Sequence, residues 1–414
     1  MIAVWGMAVL CLMSAARTLL IASRYVRLFK ASRLPASSGY SPLTRVVLCL
    51  RGNDPFLRDC ISGLLAQDYG NYEIVIVVDA VDDPAWEIAQ QAVARSSVPV
   101  TIKALRVRSK QRSLLMSSVL EAVDDLPSEC EAVVIADADV ITAPTWLGSL
   151  VAPLENPSVG VATGVRWCVP ESGEWGTTVR YLWNAFAEPQ RHTHQIPWGG
   201  SLAIRRQVLD KARNDRYWRR GFCADITLAP ILSACGLRVQ VVPEALSSIR
   251  ETISLWPCLS FLSRQMTWVR LYHPRWPAIF ADSLLLTAPT IVGGLCIIWS
   301  LAMRESHIAA FALAIGALFS AALCLTHFWV EHHVFNVIRR HGGSTHSPLA
   351  TWIKCFAVAP LMPLLYSMCA LYAHFRRQVS WRGIQYKYRG PWEIEVQVDQ
   401  PFERLAESAT SSMV

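Results

Sequence analysis

The chain has 414 residues, 52% of them hydrophobic and 17% charged, with a net charge of +7 and a mean hydropathy of +0.29. Ordinary soluble domains carry about 25% charged residues, so this balance excludes a wholly soluble protein and leaves room for roughly two to three domains, part of them in a membrane. The basic residues stand beside apolar stretches and form no stripe with interleaved aromatics, which favours anionic lipid headgroups and argues against nucleic acid as a partner.

From the N-terminus, residues 2–21 are apolar except for Arg17 and a few small polar positions, long enough to cross a bilayer. A cleaved signal peptide is the rival reading, but it lacks a basic leader, and the apolar run continues past the small residues near "MSAAR". Arg24, Arg27, Lys30 and Arg33 follow and place the next segment on the cytoplasmic side. Strands and helices then alternate. "RVVLCL" (45–50), "EIVIVV" (73–78), "VPVTIKAL" (98–105) and "EAVVIA" (131–136) read as buried strands, and Leu57, Ile61, Leu64 and Leu65 give a helix after the first an apolar stripe. Continuous Val/Ile runs separated by helices predict a mostly parallel sheet covered on both faces, whose ligands bind at the carboxyl ends of the strands. Two of these strands run into aspartates, Asp79 and Asp137.

Toward the C-terminus, "SRQMTWVRLYHPRW" (263–276) is basic and aromatic, as a helix lying in a membrane interface should be. Three apolar segments follow, 279–303, 308–330 and 349–373. Asp282 in the first and Lys354 in the third should face protein or water, and Pro360 and Pro363 predict a break. Basic pairs flank the last segment on both sides, so its orientation stays open. The twelve cysteines form no C-x-x-C pair and read as small buried hydrophobes in a reducing compartment. Trp256, Trp276, Trp329 and Trp381 read as membrane-interface anchors, and His192, His194, His332 and His333 as loop or interface histidines.

Asp137 and Asp139 carry the strongest chemical signal. Side chains two apart on a strand share a side, so both carboxylates can converge on one divalent cation, Mg²⁺ or Mn²⁺, that neutralises a nucleoside diphosphate. An equally simple reading has them turn the chain and cap a helix near 142–145. "WGGSLAIRR" (198–206) brings small residues suited to close backbone approach, and "GFCADITLAPIL" (221–232) sets Asp225 at the start of an apolar helix, where an N-cap is the plain alternative.

In their order, "RGNDPFLRDCISGLLAQDYGNYEIVIVVDAVDDPAW", "DAD", "WGGSLAIRR", "CADITL", "RQMTW" and the tail "SWRGIQYKY" resemble the family-2 glycosyltransferases, closest to the ceramide-glucosyltransferase-like branch. The resemblance covers residues 40–280 well. It implies an α/β GT-A (Rossmann-like) domain with a mostly parallel sheet, plus transmembrane helices. The implied organisation is an anchor at 1–23, a catalytic domain at 40–250, an interfacial region at 251–278, transmembrane segments at 279–373 and a tail at 374–414. It further implies inverting transfer of a single hexose from a UDP-sugar, glucose foremost, to a membrane lipid hydroxyl of ceramide, diacylglycerol or hopanoid type. The alternatives are a processive polysaccharide synthase and an inactive membrane scaffold. In the leading reading Asp79 contacts the uracil, Lys110 lies near the nucleotide, Asp139 with Asp137 binds metal and diphosphate, and Asp225 is the general base. Arg264, Gln265 and Trp268 form the acceptor-side motif. Thr267 stands where that motif has arginine, which leaves Arg264 or Arg270 to supply the charge, and Ser113 lies near where the family has asparagine. The protein is expected in the bacterial inner membrane or its equivalent, crossing it several times, with the catalytic domain in the cytoplasm.

Overall fold

The computed structural model describes residues 2–32, 39–343, 345 and 349–400; Arg33 of the basic run and residues 401–414 of the tail lie outside them. The first helix, α1 (Ile2–Ala31), outlasts the apolar stretch and takes in Arg24, Arg27 and Lys30. There follow β1 (Thr44–Leu50), α2 (Leu57–Leu65), β2 (Tyr72–Val78), α3 (Pro84–Val93), β3 (Val100–Ala104), α4 (Leu114–Ala122), β4 (Ala132–Ala136) and α5 (Trp146–Val151). Next come β5 (Val159–Thr163), β6 (Arg166–Cys168), α6 (Trp175–His194), β7 (Ser201–Arg205), α7 (Arg206–Asn214), α8 (Ala229–Ala234), β8 (Arg238–Val241) and β9 (Ser247–Ile249). The C-terminal part holds α9 (Leu255–Tyr272), α10 (Trp276–Ala302), α11 (Ser306–Arg340), α12 (Leu349–Val358), α13 (Met362–Phe375), β10 (Gln378–Trp381), β11 (Ile384–Gly390) and β12 (Glu393–Asp399).

Seven strands form one sheet in the order β3-β2-β1-β4-β7-β5-β8. All neighbours pair in parallel except around β7, which runs antiparallel to both β4 and β5. This is the mostly parallel α/β sheet expected of a GT-A (Rossmann-like) domain. Alternation within each strand sends side chains to two separate cores. Val47, Val75, Val77, Val133 and Ile135 enter one, and Val46, Leu48, Ile74, Ile76 and Val134 enter the other. The first core does not stop at the sheet. It continues through α4, α6 and α9 to Tyr25, Val26 and Phe29 of α1, to α11 and α13, and to Tyr386 and Tyr388 of β11. The apolar interior is therefore continuous from the seven-stranded sheet to the membrane-length helices.

Four helical stretches are long and apolar enough to cross a membrane: Ile2–Ala31, Trp276–Ala302, Ser306–Arg340 and Thr351–Phe375. The last is broken where its prolines predict, with α12 ending at Val358 and a tight turn over Ala359–Leu361 before α13. The two charges singled out in the C-terminal segments, Asp282 and Lys354, face protein. Asp282 of α10 pairs with Arg17 of α1 and lies 3.2 Å from His194 Nε2 at the end of α6. Lys354 donates to the Gly173 carbonyl and stands 4.6 Å over the Trp175 ring. Of the remaining five strands, β6 and β9 pair in parallel, and β10-β11-β12 form an antiparallel sheet folded back against the α/β domain.

Removing one member of the Arg17–Asp282 pair leaves the other charge beside apolar helices. Asp282→Leu or Arg17→Leu alone should lower stability by about 1–3 kcal/mol, discounted for the partial exposure of Arg17. The double variant should recover most of that loss in thermal melting of the detergent-solubilised protein. Additive losses in the double variant would show that the pair is not coupled.

Candidate active site

The parallel order β2-β1-β4 lines up the residues that leave these strands, and Asp79, Arg51 and Asp137 follow one another along the carboxyl edge. Asp137 and Asp139 line a cleft of about 360 Å³ together with Asp54, Asp225 and Glu251. Strand β7 enters antiparallel beside β4, pairing Ser201 with Ala136, so Gly199 and Gly200 sit at the same edge. A Cβ built on Gly200 would stand 2.5 Å from Asp137 Oδ2, and one on Gly199 would stand 3.0 Å from Asp225 Oδ2. The close approach foreseen for this glycine pair is thus to two carboxylates, one on each glycine. The Gly199 amide donates to Asp225 Oδ2 at 2.7 Å, and the Ile226 amide donates to Oδ1 at 2.6 Å. Asp225 therefore does cap the turn that begins at Ile226, and it lines the cleft at the same time.

Five acids in one cleft need compensation. Burial, then repulsion from Asp139 and Asp225, pushes the Asp137 carboxyl up to about 7, and burial with Asp54 raises that of Asp139. Arg166 and Arg382 offset part of this. Two desolvated carboxylates with a residual need for positive charge suit a hard divalent cation. Among the described residues no group of three or more His, Cys, Asp or Glu side chains is placed to cage a metal. The pair fits an ion that shares its shell with phosphate oxygens and water.

The cleft also holds a cationic cluster. Arg166 and Arg264 flank the Phe261 ring at 5.1 and 5.8 Å, and neither has a carboxylate ion-pair partner among the described residues. Burial, reinforced by Arg376, Arg166 and Arg382, lowers the Arg264 guanidinium to about 10. Such a cluster is costly without an anion between its members. Arg264, Gln265 and Trp268 of α9 all line the cleft, but Thr267 does not. It is 0% exposed, its hydroxyl bonds the Ser263 carbonyl at 2.8 Å, and Tyr388 lies beside it. Arginine is absent at 267 because that face of α9 is buried against β11. Of the two candidates for the missing charge, Arg264 faces the cleft and Arg270 does not.

The C-terminal sheet closes one side. Arg382 sits in the left-handed region (φ 42) at the β10–β11 turn, donates to the Arg51 carbonyl, and reaches Asp54 Oδ2 at 2.8 Å. Trp381, expected as a membrane-interface anchor, lines the cleft instead, because strand β10 folds back over the catalytic domain. Phe222 stacks on Trp268 at 4.4 Å and meets Tyr386 at 5.4 Å, joining α9 to this sheet. Ser113 also lines the cleft and caps α4 by accepting from the Met116 amide at 3.0 Å.

Asp79 and Lys110 are not brought into the cleft lining. Asp79, 7% exposed, accepts from Arg51 at 2.6 Å and pairs with Arg108; Arg51 continues to Asp399 of β12 at 3.0 Å. The exposed Lys110 meets the same sheet through its carbonyl, which accepts from Val396. The sequence reading missed Arg166, Glu251, Asp54 and Arg382. Only Arg382, inside the quoted tail motif, and Asp54, in the loop after β1, left a signal.

Arg382→Ala should reduce kcat/KM by about 10- to 100-fold, as expected for loss of a positioned charge-assisted donor. Unchanged turnover would remove it from the site. Thr267→Arg should give no gain in activity and a lower melting temperature, since it forces a charge into a buried slot; a more active, equally stable variant would contradict the buried placement.

A model described as glycosyl transferase family 21 matches residues 5–391. Two curated proteins named N-acetylglucosaminyltransferase are similar. One, from Rhizobium leguminosarum bv. viciae, is 23% identical over 258 residues, covering 58% of this chain and 56% of that protein. The other, from Bradyrhizobium diazoefficiens, is 23% identical over 239 residues, covering 54% and 47%. The chain spans about half the length of these relatives. Among solved structures, the mannosyltransferase PcManGT from Pyrobaculum calidifontis, in complex with GDP-Man and Mn²⁺, aligns at 17% identity and a TM-score of 0.47, covering 88% of this chain and 99% of that one. With the family model matched along most of its length, the chain belongs to glycosyl transferase family 21.

Proposed function

We propose that this glycosyltransferase moves a single hexose from a UDP-sugar, UDP-glucose foremost, to the hydroxyl of a membrane lipid of ceramide, diacylglycerol or hopanoid type, with inversion at the anomeric carbon. The protein crosses a bacterial inner membrane, or its equivalent, several times and works on the cytoplasmic face. The observation that carries this reading is the convergence of Asp137, Asp139 and Asp225 with Arg166 and Arg264 in one cleft.

In this reading Asp137 and Asp139 hold a divalent cation, Mg²⁺ or Mn²⁺, which supplies positive charge to the departing diphosphate. Arg264 and Arg166 meet the diphosphate, exchanging a costly cation cluster for charge-assisted hydrogen bonds. Asp225, oriented by the Gly199 and Ile226 amides, takes the acceptor hydroxyl's proton as that oxygen attacks the anomeric carbon. The bond to the diphosphate oxygen breaks as the new glycosidic bond forms, and one displacement inverts the centre. Gln265, Trp268 and Trp381 border the acceptor. Asp79 contributes through Arg51, and its direct contact with a uracil requires the Arg51 and Arg108 pairs to open. A UDP-N-acetylhexosamine donor is the second reading, favoured by the name N-acetylglucosaminyltransferase that both curated relatives carry.

Purified protein given UDP-glucose or UDP-N-acetylglucosamine, a lipid extract and Mn²⁺ should yield a glycolipid one sugar heavier than its acceptor by mass spectrometry; polymer alone would overturn the reading. Asp225→Asn should lower kcat by about 10²- to 10⁴-fold while retaining UDP binding. Asp139→Ala should abolish the divalent-ion dependence of UDP binding, and a variant that keeps it would refute the assignment of the ion.

A further inference from the structure

A second cavity lies among the membrane-length helices, walled by α1, α6, α10, α11 and α13, with Ile21, Trp183, Leu286, Val330 and Tyr366 in its lining. At about 40 Å³ it has room for more than one water-sized group. Two polar side chains in its wall are left unsatisfied. His327 of α11 is 1% exposed and neither ring nitrogen has a partner, and the buried Oε1 of Gln190 on α6 has none either. The His327 ring is held by an edge contact with Tyr181 at 4.7 Å, and Tyr181 itself bonds Glu331 one turn along α11. An imidazole left unpaired in such surroundings is costly, so a held and orphaned histidine marks a place for a ligand.

The chemistry of the ligand follows from the groups that await it. A neutral imidazole offers one donor and one acceptor, and Gln190 Oε1 offers an acceptor. The ligand must therefore present an O–H or N–H as well as an acceptor, on an otherwise apolar body. Around these helices Leu295, Ile298, Leu318, Leu325 and Met368 are all more than half exposed, so the surrounding medium is lipid. An ester-only lipid lacks the donor, whereas a lipid hydroxyl or amide has both. The cavity is also distinct from the catalytic cleft. Trp183 on its wall stands edge-on to Phe261 at 6.2 Å, and Phe261 lines the cleft, so one aromatic layer separates the two.

We propose that this cavity binds a membrane lipid through a hydroxyl or amide group held by His327 and Gln190, with its chain running among the membrane helices. The site does not depend on which sugar the cleft transfers.

The test uses the full chain in phosphatidylcholine nanodiscs and two probes with the same diazirine-bearing acyl chain, one an N-acyl amino alcohol and the other a methyl ester. The amide probe should label the segments 183–190 and 323–330 about tenfold more than the ester, the ratio expected from two hydrogen bonds. His327→Phe preserves the ring contact with Tyr181 and removes both nitrogens, so it should erase the preference. Ala185→Phe fills the cavity and should remove the labelling itself. An unshifted melting curve marks each variant as folded. Equal labelling by both probes, no label in these segments, or a preference that survives in His327→Phe would each overturn the proposal and leave the nitrogens to ordered water. None of these readouts requires sugar transfer, so a failure here is separable from a failure of the proposed reaction.

Discussion

Asp137 and Asp139 are partly buried beside other acids just past the end of β4, and much of the surrounding architecture answers the electrostatic demand this creates. Carboxylates so placed repel one another and lose hydration, which raises both. The protein offers only partial relief. Arg166 and Arg382 approach the pair, while Arg166 and Arg264 lie close enough to repel one another in the same cleft. Neither group is satisfied by itself, and the proposed metal-bound diphosphate would be complementary to both. Gly199 and Gly200 are the steric side of the same constraint, because a side chain on either would intrude on Asp225 or Asp137.

The site is assembled from segments far apart in the chain, and its precision rests on how they are tied. The core that begins under β1, β2 and β4 continues without interruption into α6, α9 and the membrane helices. Phe222 bridges α9 and β11 by aromatic contacts, and the Asp79–Arg51–Asp399 ion-pair chain bolts the carboxyl edge of the sheet to β12. The tail therefore works as the third side of the cleft. Arg382 reaches the acids only because that sheet folds back, and its left-handed backbone at the turn aims the side chain inward.

The same continuity ties the cleft to the bilayer. Arg17, His194 and Asp282 join α1, α6 and α10 just where the catalytic domain meets the membrane helices. Trp183 and Phe261 form a thin partition between the cleft and the lipid-facing cavity. A domain so coupled holds its cleft at a set depth relative to the membrane, which suits an acceptor that cannot leave it.

Some features were legible because local patterning decides them. The four Val/Ile-rich strands, the helical stripe after β1, the membrane-length segments and the proline break all follow from periodicity, length and the missing amide of proline. The Asp137/Asp139 pair was legible as two acids at the end of a buried strand, but β4 stops at Ala136, so a turn and not the expected strand alternation brings both to the cleft. Other features depend on contacts across hundreds of residues. Arg166 and Glu251 carry no local mark, Thr267 reads as a defect until its face of α9 is seen buried against β11, and Trp381 reads as an anchor until β10 folds over the cleft. Asp79 likewise ends a strand as foreseen, yet its distant partner Asp399, reached through Arg51, is set by strand order and tail docking. By itself the sequence determined which segments are strands, which can span a membrane and which acids end the central strand, since these are short-range matters of period and hydropathy. Only the tertiary structure decided which charges meet, because a cleft's electrostatics depend on distances between residues that the chain order keeps far apart.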